Sequence, residues 1–441
     1  MPRSIIDLSN YPELRTLLSE KMRRMMYYGS KFAELIGANF LTQMGREEEV
    51  KALGPGGLTR FVGAPIETVN GFIQEGRTDM LIPHVARLTG LPAAFGDMPL
   101  MGKEEDVKYA FRAVFINRTR HAVSPPTGMQ AQQVKQWKSW LINSAEPMLR
   151  MWFQDYFPSN LLSAMHYGFS RDLISGAAFG GRAMTPVSHP NMIVAGSGRV
   201  TWAGGRPGTA AYEAACEAAI NALTGAGGQT MSVAFVRNMV QEAPRCKIRP
   251  IVSKSGYPLY PIFMKDAAFN QFRQDSEYKA FAQSLAIAKM EDHPLAHLGV
   301  AVIDGAIIIT DLKLWSAYTH ADDALVTAGT VEYGPRPTAA QRAQGHCIAN
   351  TITDLDTGDN ACCILMGESA LSVATGEEVE VKSNVEDYEN TKGYGLDFIK
   401  SVVRNEIYDA LGLMGLTAGD FYENTSSMLG VTYSPYALSY S

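Results

Sequence analysis

The side chains in this sequence that could do chemistry are few and poorly arranged for it. His293 and His297 stand four apart, a spacing that on a helix can present two imidazoles to one metal ion. Pro294 follows the first, no glutamate takes the second position as in a zinc-protease helix, and no third ligand is evident. Cys362 and Cys363 are adjacent inside an apolar run, the usual setting of buried and unreactive thiols. Gly225, Gly227 and Gly228 precede an expected helix and could cradle a phosphate at its N-terminus. The element before them reads as helix, though, and the loop lacks the Lys-Ser/Thr ending of a P-loop, so the simpler reading is a helix stop and restart. The acidic runs at 47–49 and 377–380 read as solvated faces. No nucleophile elbow or dinucleotide fingerprint occurs. The expectation is therefore no catalytic residue, no metal and no cofactor.

The totals point the same way. Hydrophobic residues make up 46% of the 441 residues and charged ones only 19%, enough apolar material for a large core. Forty glycines suggest many turns and sheet edges and argue against a helical bundle. A net charge of −6 gives no global attraction to nucleic acid or to anionic lipid. The five cysteines are odd in number and scattered, which suits a chain folded in a reducing cytoplasm. The first residues lack the apolar stretch of a signal peptide, and no run of about 18 apolar residues suggests a transmembrane helix.

Several elements stand out. Leu14, Leu17, Leu18, Met22, Met25 and Met26 recur at helical spacing within an N-terminal arm, which ends in the chain break at Gly54, Pro55, Gly56 and Gly57. Residues 77–88 and 106–118 read as two strands, the second with Val107, Tyr109, Phe111, Ala113 and Phe115 on one face. A Gly- and Pro-rich tip separates them, so together they make a long two-stranded arm. A lone hairpin is marginal in water and must lie on something.

Val134, Trp137, Leu141, Ala145, Met148, Trp152 and Tyr156 then mark one apolar face of a helix over 131–156, about 39 Å long, with Pro147 as a kink or restart and Ser144 as a candidate N-cap. Further helices are expected at 209–223, 230–242 and 275–289. Strands are expected at 247–251, 257–264 and 361–366, the last leading into a short helix. In GVAVIDGAIIIT at 299–310, Asp304-Gly305 between two apolar strands is a hairpin signature.

At residues 75–123 the sequence resembles a family of tailed-phage major capsid proteins found in short-tailed phages and prophages. The phrase "N-x-x-R-H-A-V" is matched by Asn117, Arg120, His121, Ala122 and Val123, and a long helix follows. KIRPI at 247–251, YPLYPIF, GVAVIDGAIIIT, ILMG at 364–367 and Asp387, Tyr388, Asn390 and Gly393 of a "D-Y-x-N-x-x-G" phrase keep the family's order. The first 60 residues and the aromatic tail at 420–441 depart from it.

The resemblance implies an α+β chain with the tailed-phage coat fold (the Johnson fold). Its implied parts are an N-terminal arm (1–65), an extended loop that is a long β-hairpin (66–120), the spine helix of a peripheral domain (121–165), an axial domain with parts of the peripheral domain (166–380), and peripheral strands with a C-terminal tail (381–441). It implies a shell-building protein, with hexamers and pentamers tiling an icosahedral capsid around double-stranded DNA that is not read by sequence. The partners implied are further copies of itself, portal and scaffold proteins and decoration proteins, without a membrane. Assembly is expected in the bacterial host cytoplasm and residence in the virion. Arg77, Lys103, Lys108 and Arg112 are the candidates for salt bridges to a neighbouring subunit. The alternatives are a cellular compartment shell of the same fold and a soluble α+β enzyme.

Overall fold

The computed structural model describes residues 49–52, 59–70, 79–85 and 109–123, parts of 147–170, 189–200 and 214–223, most of 229–280, then 301–310, 360–386, 391–405 and 426–433, together with Thr16 and Ser19. The strands are β1 (Glu49–Ala52), β2 (Thr59–Val62), β3 (Ile66–Asn70), β4 (Asp79–Val85), β5 (Tyr109–Phe115), β6 (Arg118–Val123), β7 (Met192–Val194) and β8 (Gly198–Val200). They continue with β9 (Ile251–Val252), β10 (Pro258–Met264), β11 (Ala301–Ile303), β12 (Ala306–Thr310), β13 (Asn360–Met366), β14 (Leu371–Glu386), β15 (Thr391–Arg404) and β16 (Ser427–Tyr433). Two helices, α1 (Val233–Glu242) and α2 (Asp266–Gln274), are described from end to end.

Among the described residues, three sheets result. One has six strands in the order β1-β2-β3-β14-β15-β6; one has eight, with β11-β12-β10-β13-β16-β7-β8 in line and β9 on β10; the third is β4-β5 alone. Strands distant in sequence become neighbours: β3 runs parallel to β14, and β7 parallel to β16. Val, Ile, Leu and Phe dominate the centre of the larger sheet, where Ile262, Phe263, Ile364 and Leu365 are fully buried, as strands covered on both faces require.

Four residues carry the chain from β13 in one sheet to β14 in the other. Their amides donate in turn: Gly367 to Ser426 at 2.8 Å, Glu368 to Arg249 at 2.9 Å, Ser369 to Ala64 at 2.9 Å and Ala370 to Pro65 at 2.7 Å. Ser369 takes a left-handed backbone with φ 57° to make the corner. Below it, buried Glu67 accepts from the Ser372 hydroxyl and, at 3.1 Å, from Asn405 Nδ2, so a carboxylate is satisfied inside the junction.

The Asp-Gly hairpin forms as expected, with β11 and β12 antiparallel and both turn residues at positive φ, Asp304 at 48° and Gly305 at 86°. That is the type I′ turn whose twist matches the strands, and Asp and Gly are the residues that tolerate it. Replacing Asp304 by Val is expected to cost about 1–2 kcal/mol in chemical denaturation, because a β-branched residue is strained at positive φ.

Three sequence expectations are corrected, and two further segments find strand partners. The strand expected over 106–118 ends at Phe115, and Arg118–Val123 is β6, which leaves the ribbon and pairs with β15. KIRPI is not a strand: only Ile251 of it joins β9, and Ile248 is held instead by donating its amide to Ala243 and accepting from the Tyr260 hydroxyl at 3.1 Å. Residues 361–366 lead into the corner and β14, not into a short helix. After Gly54, β2 pairs antiparallel with β1. The tail supplies β16, seated between β13 and β7 in the buried sheet.

The helix after the ribbon also runs further toward the C-terminus and is differently turned than expected. Helical residues run through Pro158 to Ala164 and Met165. Gly168, at φ 85°, donates its amide to Ala164, and the buried Arg404 guanidinium donates to the Met165 carbonyl at 2.6 Å. Glycine in the left-handed region and a cation at the last carbonyls are the usual devices that end a helix. The buried face is Leu149, Phe153, Phe157 and Leu161, one residue on from the expected stripe. Ser144 and the segment before Pro147 lie outside the described residues, as do His293, His297, Gly225, Gly227 and Gly228.

Candidate assembly surface

Among the described residues, the β4-β5 ribbon is a two-stranded sheet of its own. Its strands pair only with each other, from Asp79 opposite Phe115 to Val85 opposite Tyr109, and neither joins another described strand. Four backbone edges cannot be satisfied by two short strands, since each keeps an outward row of donors and acceptors. Arg112 stands on β5 opposite Ile82, and Arg77, Lys103 and Lys108 lie outside the described residues.

The root of the ribbon is firmly anchored. Val114, Phe115, Ile116 and Asn117 are all buried, although period-two alternation would expose every second one. The Ser401 hydroxyl donates to the Phe115 carbonyl, and the Lys400 amide donates to the Asn117 carbonyl at 3.1 Å. One residue further, Arg118 places Nε 2.9 Å and Nη2 2.5 Å from the two oxygens of Asp397. This paired geometry is the strongest that a guanidinium and a carboxylate make.

Asp397 is the centre of a charged group on the outer face of the six-stranded sheet. Its side chain is only 3% exposed, and Lys382 Nζ donates to it at 2.7 Å while also lying 3.3 Å from Glu380. The two cations hold the Asp397 carboxyl well below the usual carboxylate range, Arg118 contributing most, against a smaller opposing effect of burial. Because the folded value is depressed, the stabilisation is complete above the unfolded value near 4 and is lost only as pH falls through the lower, folded one. Stability from this group is therefore expected to be flat from pH 7 to about 5. Replacing Asp397 by Asn should cost about 2 kcal/mol, below the usual range for a broken buried pair because both cations reach water; urea melts of the two proteins at pH 7 and pH 5 test both points.

Lys400 is likewise buried and pairs at 2.7 Å with Glu378, at the irregular stretch where β14 shifts register. The acidic run at 377–380 is thus partly engaged in ion pairs and not simply solvated.

On the other face of the sheet lies the helix of residues 147–165. Trp152 stacks on His121 of β6, ring centroids 4.2 Å apart, and on Tyr156 at 4.6 Å. Met148 and Met151 beside them are 55% and 64% exposed. The stripe expected to be the core face is thus a half-covered second apolar face. His121 and Asn117 of the "N-x-x-R-H-A-V" phrase serve in packing and anchoring the ribbon root. Arg118, Asp397 and Ser401 were missed in the sequence, because nothing local links positions almost 280 residues apart.

Among the described residues, the groups that could do chemistry are engaged in the protein's own packing and hydrogen bonds. Cys246, Cys362 and Cys363 are buried, and burial pushes the Cys363 thiol far up. The α1 N-terminus, which follows Gly225, Gly227 and Gly228 in the chain, is filled by the protein's own groups: Val233 donates to Asp275 at 2.8 Å and Met231 to Gln271 at 3.0 Å. His189 Nε2 lies 3.1 Å from the Ser427 hydroxyl and Nδ1 2.9 Å from the Asn191 carbonyl. Histidine and serine are 1% and 0% exposed, so this pair ties β16 to the chain before β7 and offers no nucleophile to solvent. No group of metal-binding side chains occurs among the described residues, and among them no helix is long and apolar enough to cross a membrane.

An isolated ribbon, an anchored root, a long helix on a six-stranded sheet and a second mixed sheet define the tailed-phage coat fold. The profile of the family described as "Phage capsid protein" matches residues 61–405, most of the chain. This chain belongs to that family, and it is a major capsid protein of a tailed phage, a structural component of the virion and not an enzyme. Solved structures share the fold. The capsid of Ralstonia phage GP4 is 18% identical with a TM-score of 0.50, covering 84% of this chain and 88% of its own. The Cyanophage Pam1 capsid is 14% identical at 0.51, covering 81% and 85%. The acidic stable capsid of Helicobacter pylori bacteriophage KHP30 is 13% identical at 0.52, covering 84% and 88%. A search of the curated proteins found no match.

Proposed function

We propose that this capsid protein closes into hexamers and pentamers that tile an icosahedral shell around double-stranded DNA, with the β4-β5 ribbon of each subunit lying across its neighbour. The observation that carries this reading is the ribbon itself, two strands held at one end by a buried root and paired with no other described strand. A neighbouring subunit would cover the ribbon's outward backbone rows in a head-to-tail contact, the kind that closes into rings. Each contact can be weak because every subunit makes several.

Arg112, with Arg77, Lys103 and Lys108, would pair with carboxylates of the neighbour. The net charge of −6 suits a container, since an inner wall that held phosphates tightly would hinder packing and release of the genome. Portal and scaffold proteins, with decoration proteins where present, would complete a particle built in the host cytoplasm. Electron microscopy of the protein, expressed alone and with the other head proteins of its phage, tests the reading. Discrete shells or capsomers are expected; single chains in every condition would refute it.

A further inference from the structure

Four hydrogen bonds at three points converge on the ribbon root, and all of them involve one strand of the body. Between Phe115 and Arg118 the chain passes from the ribbon to the six-stranded sheet, and β15 grips it at each step. The Ser401 hydroxyl donates to the Phe115 carbonyl, the Lys400 amide to the Asn117 carbonyl at 3.1 Å, and the Arg118 guanidinium to Asp397 at 2.5 and 2.9 Å. Beyond Arg118, β6 continues along β15 from Arg118 opposite Ile399 to Val123 opposite Tyr394. Two of the three grips use side chains, and the carboxylate among them is 3% exposed, so they do not swing freely with solvent. Lys382 on β14 holds the same carboxylate at 2.7 Å, which ties a third strand into the grip.

A two-stranded ribbon is stiff along its length and weakest in bending where it leaves the body. Over the seven-residue length of β4, roughly 23 Å, a change of about 5° at the root moves the far end by about 2 Å. The direction of the ribbon is therefore decided at residues 115–118.

We infer that Arg118, Asp397 and Ser401 are positioning residues for assembly: they clamp the β5-to-β6 passage and so fix the angle at which the ribbon meets the neighbouring subunit, which sets the curvature of the shell. They act through the backbone of the ribbon and do not themselves touch the neighbour. The inference rests on the reading that the ribbon lies across a neighbour, and it adds which side chains aim it.

The full chain, co-expressed with the other head proteins of its phage, provides the test. Particle diameters are measured by electron microscopy, and folding of the unassembled subunit by circular dichroism. Arg118→Ala and Ser401→Ala are compared with Arg118→Lys, which keeps the charge, and with Arg237→Ala. The last removes an exposed pairing with Asp304 and Glu277, away from the ribbon.

Arg118→Ala and Ser401→Ala are expected to give folded subunits whose particles are mostly of altered diameter, open or tubular. Arg118→Lys should recover at least half of the normal particles, and Arg237→Ala should leave the distribution unchanged. Particles of wild-type diameter from both Arg118→Ala and Ser401→Ala would overturn the clamp. If Arg118→Ala does not accumulate, Ser401→Ala alone decides, since it removes one bond and leaves the ion pair. Normal shells from a chain lacking the ribbon would instead overturn the underlying reading.

Discussion

A chain in which residues 80–113 are replaced by a short glycine-serine linker is expected to form no shells while its body still folds. The cut falls where the structure permits it. Asp79 and Phe115 face each other in the ribbon register, and antiparallel partners stand roughly 5 Å apart, so a short linker closes the gap at little entropic cost. Val114 and Phe115 must be kept, since both are buried and their loss would open the core at the root. The ribbon strands take no part in either large sheet, so their removal should shift the melting temperature by no more than about 5 °C. Assembly should be lost altogether, because every subunit loses the same contact and the avidity of the lattice multiplies that loss. Size-exclusion chromatography and electron microscopy report the two outcomes separately. Wild-type yields of closed shells from the shortened chain would rule out the ribbon as the assembling element.

Replacing Gly367 by Ala is expected to destabilise the folded subunit by about 3 kcal/mol or more, one of the largest effects available to a single methyl group. A Cβ at this position would sit 2.5 Å from the Arg249 carbonyl oxygen and 2.6 Å from Ile248 Cγ2. The nearest atom is backbone, held by the Glu368 amide that donates to it at 2.9 Å, so it cannot turn aside as a side chain would. Relief requires moving the corner that joins β13 to β14, and with it the seam between the two large sheets.

Two other glycines calibrate the effect. At Gly430 an added Cβ would meet Met239 Sδ at 2.7 Å and Cys363 Sγ at 2.8 Å, a clash with side chains of which the methionine can partly repack, so a smaller loss is expected. At Gly395 the nearest atoms, Ala122 Cβ and the His121 carbonyl oxygen, lie at 3.5 Å, an ordinary contact, and alanine there should change stability by under about 1 kcal/mol. Thermal and urea melts of the three variants should follow that order. A Gly367→Ala protein as stable as Gly395→Ala would show that the corner yields easily.

Local chemistry in the sequence was enough for the elements whose rules are local. Asp304 and Gly305 specify a turn because only residues of their kind accept positive φ in succession. The strands of the ribbon, β10 and β13 follow from apolar runs bounded by turn formers. The ordered phrases from Asn117 to Gly393 were enough for the family, since a shared fold leaves its marks along the whole chain.

Tertiary structure decided the rest, and each case has the same cause. Residues 147–161 carry two apolar stripes side by side, and a period of 3.6 cannot say which one meets the sheet; Phe398, packed edge-on against Phe153 at 5.2 Å, chooses the Phe153 stripe. Residues 106–118 read as one strand, but the pairing of Arg118–Val123 with β15 ends that run at Phe115 and starts a strand in another sheet. The strand 427–433 looks like an aromatic tail until β13 and β7 take it between them. The clamp of Arg118, Asp397 and Ser401 joins residues almost 280 positions apart. Spacing along a chain fixes what a segment can become, but its partner is settled by which distant segments compete for the same backbone donors and the same buried face.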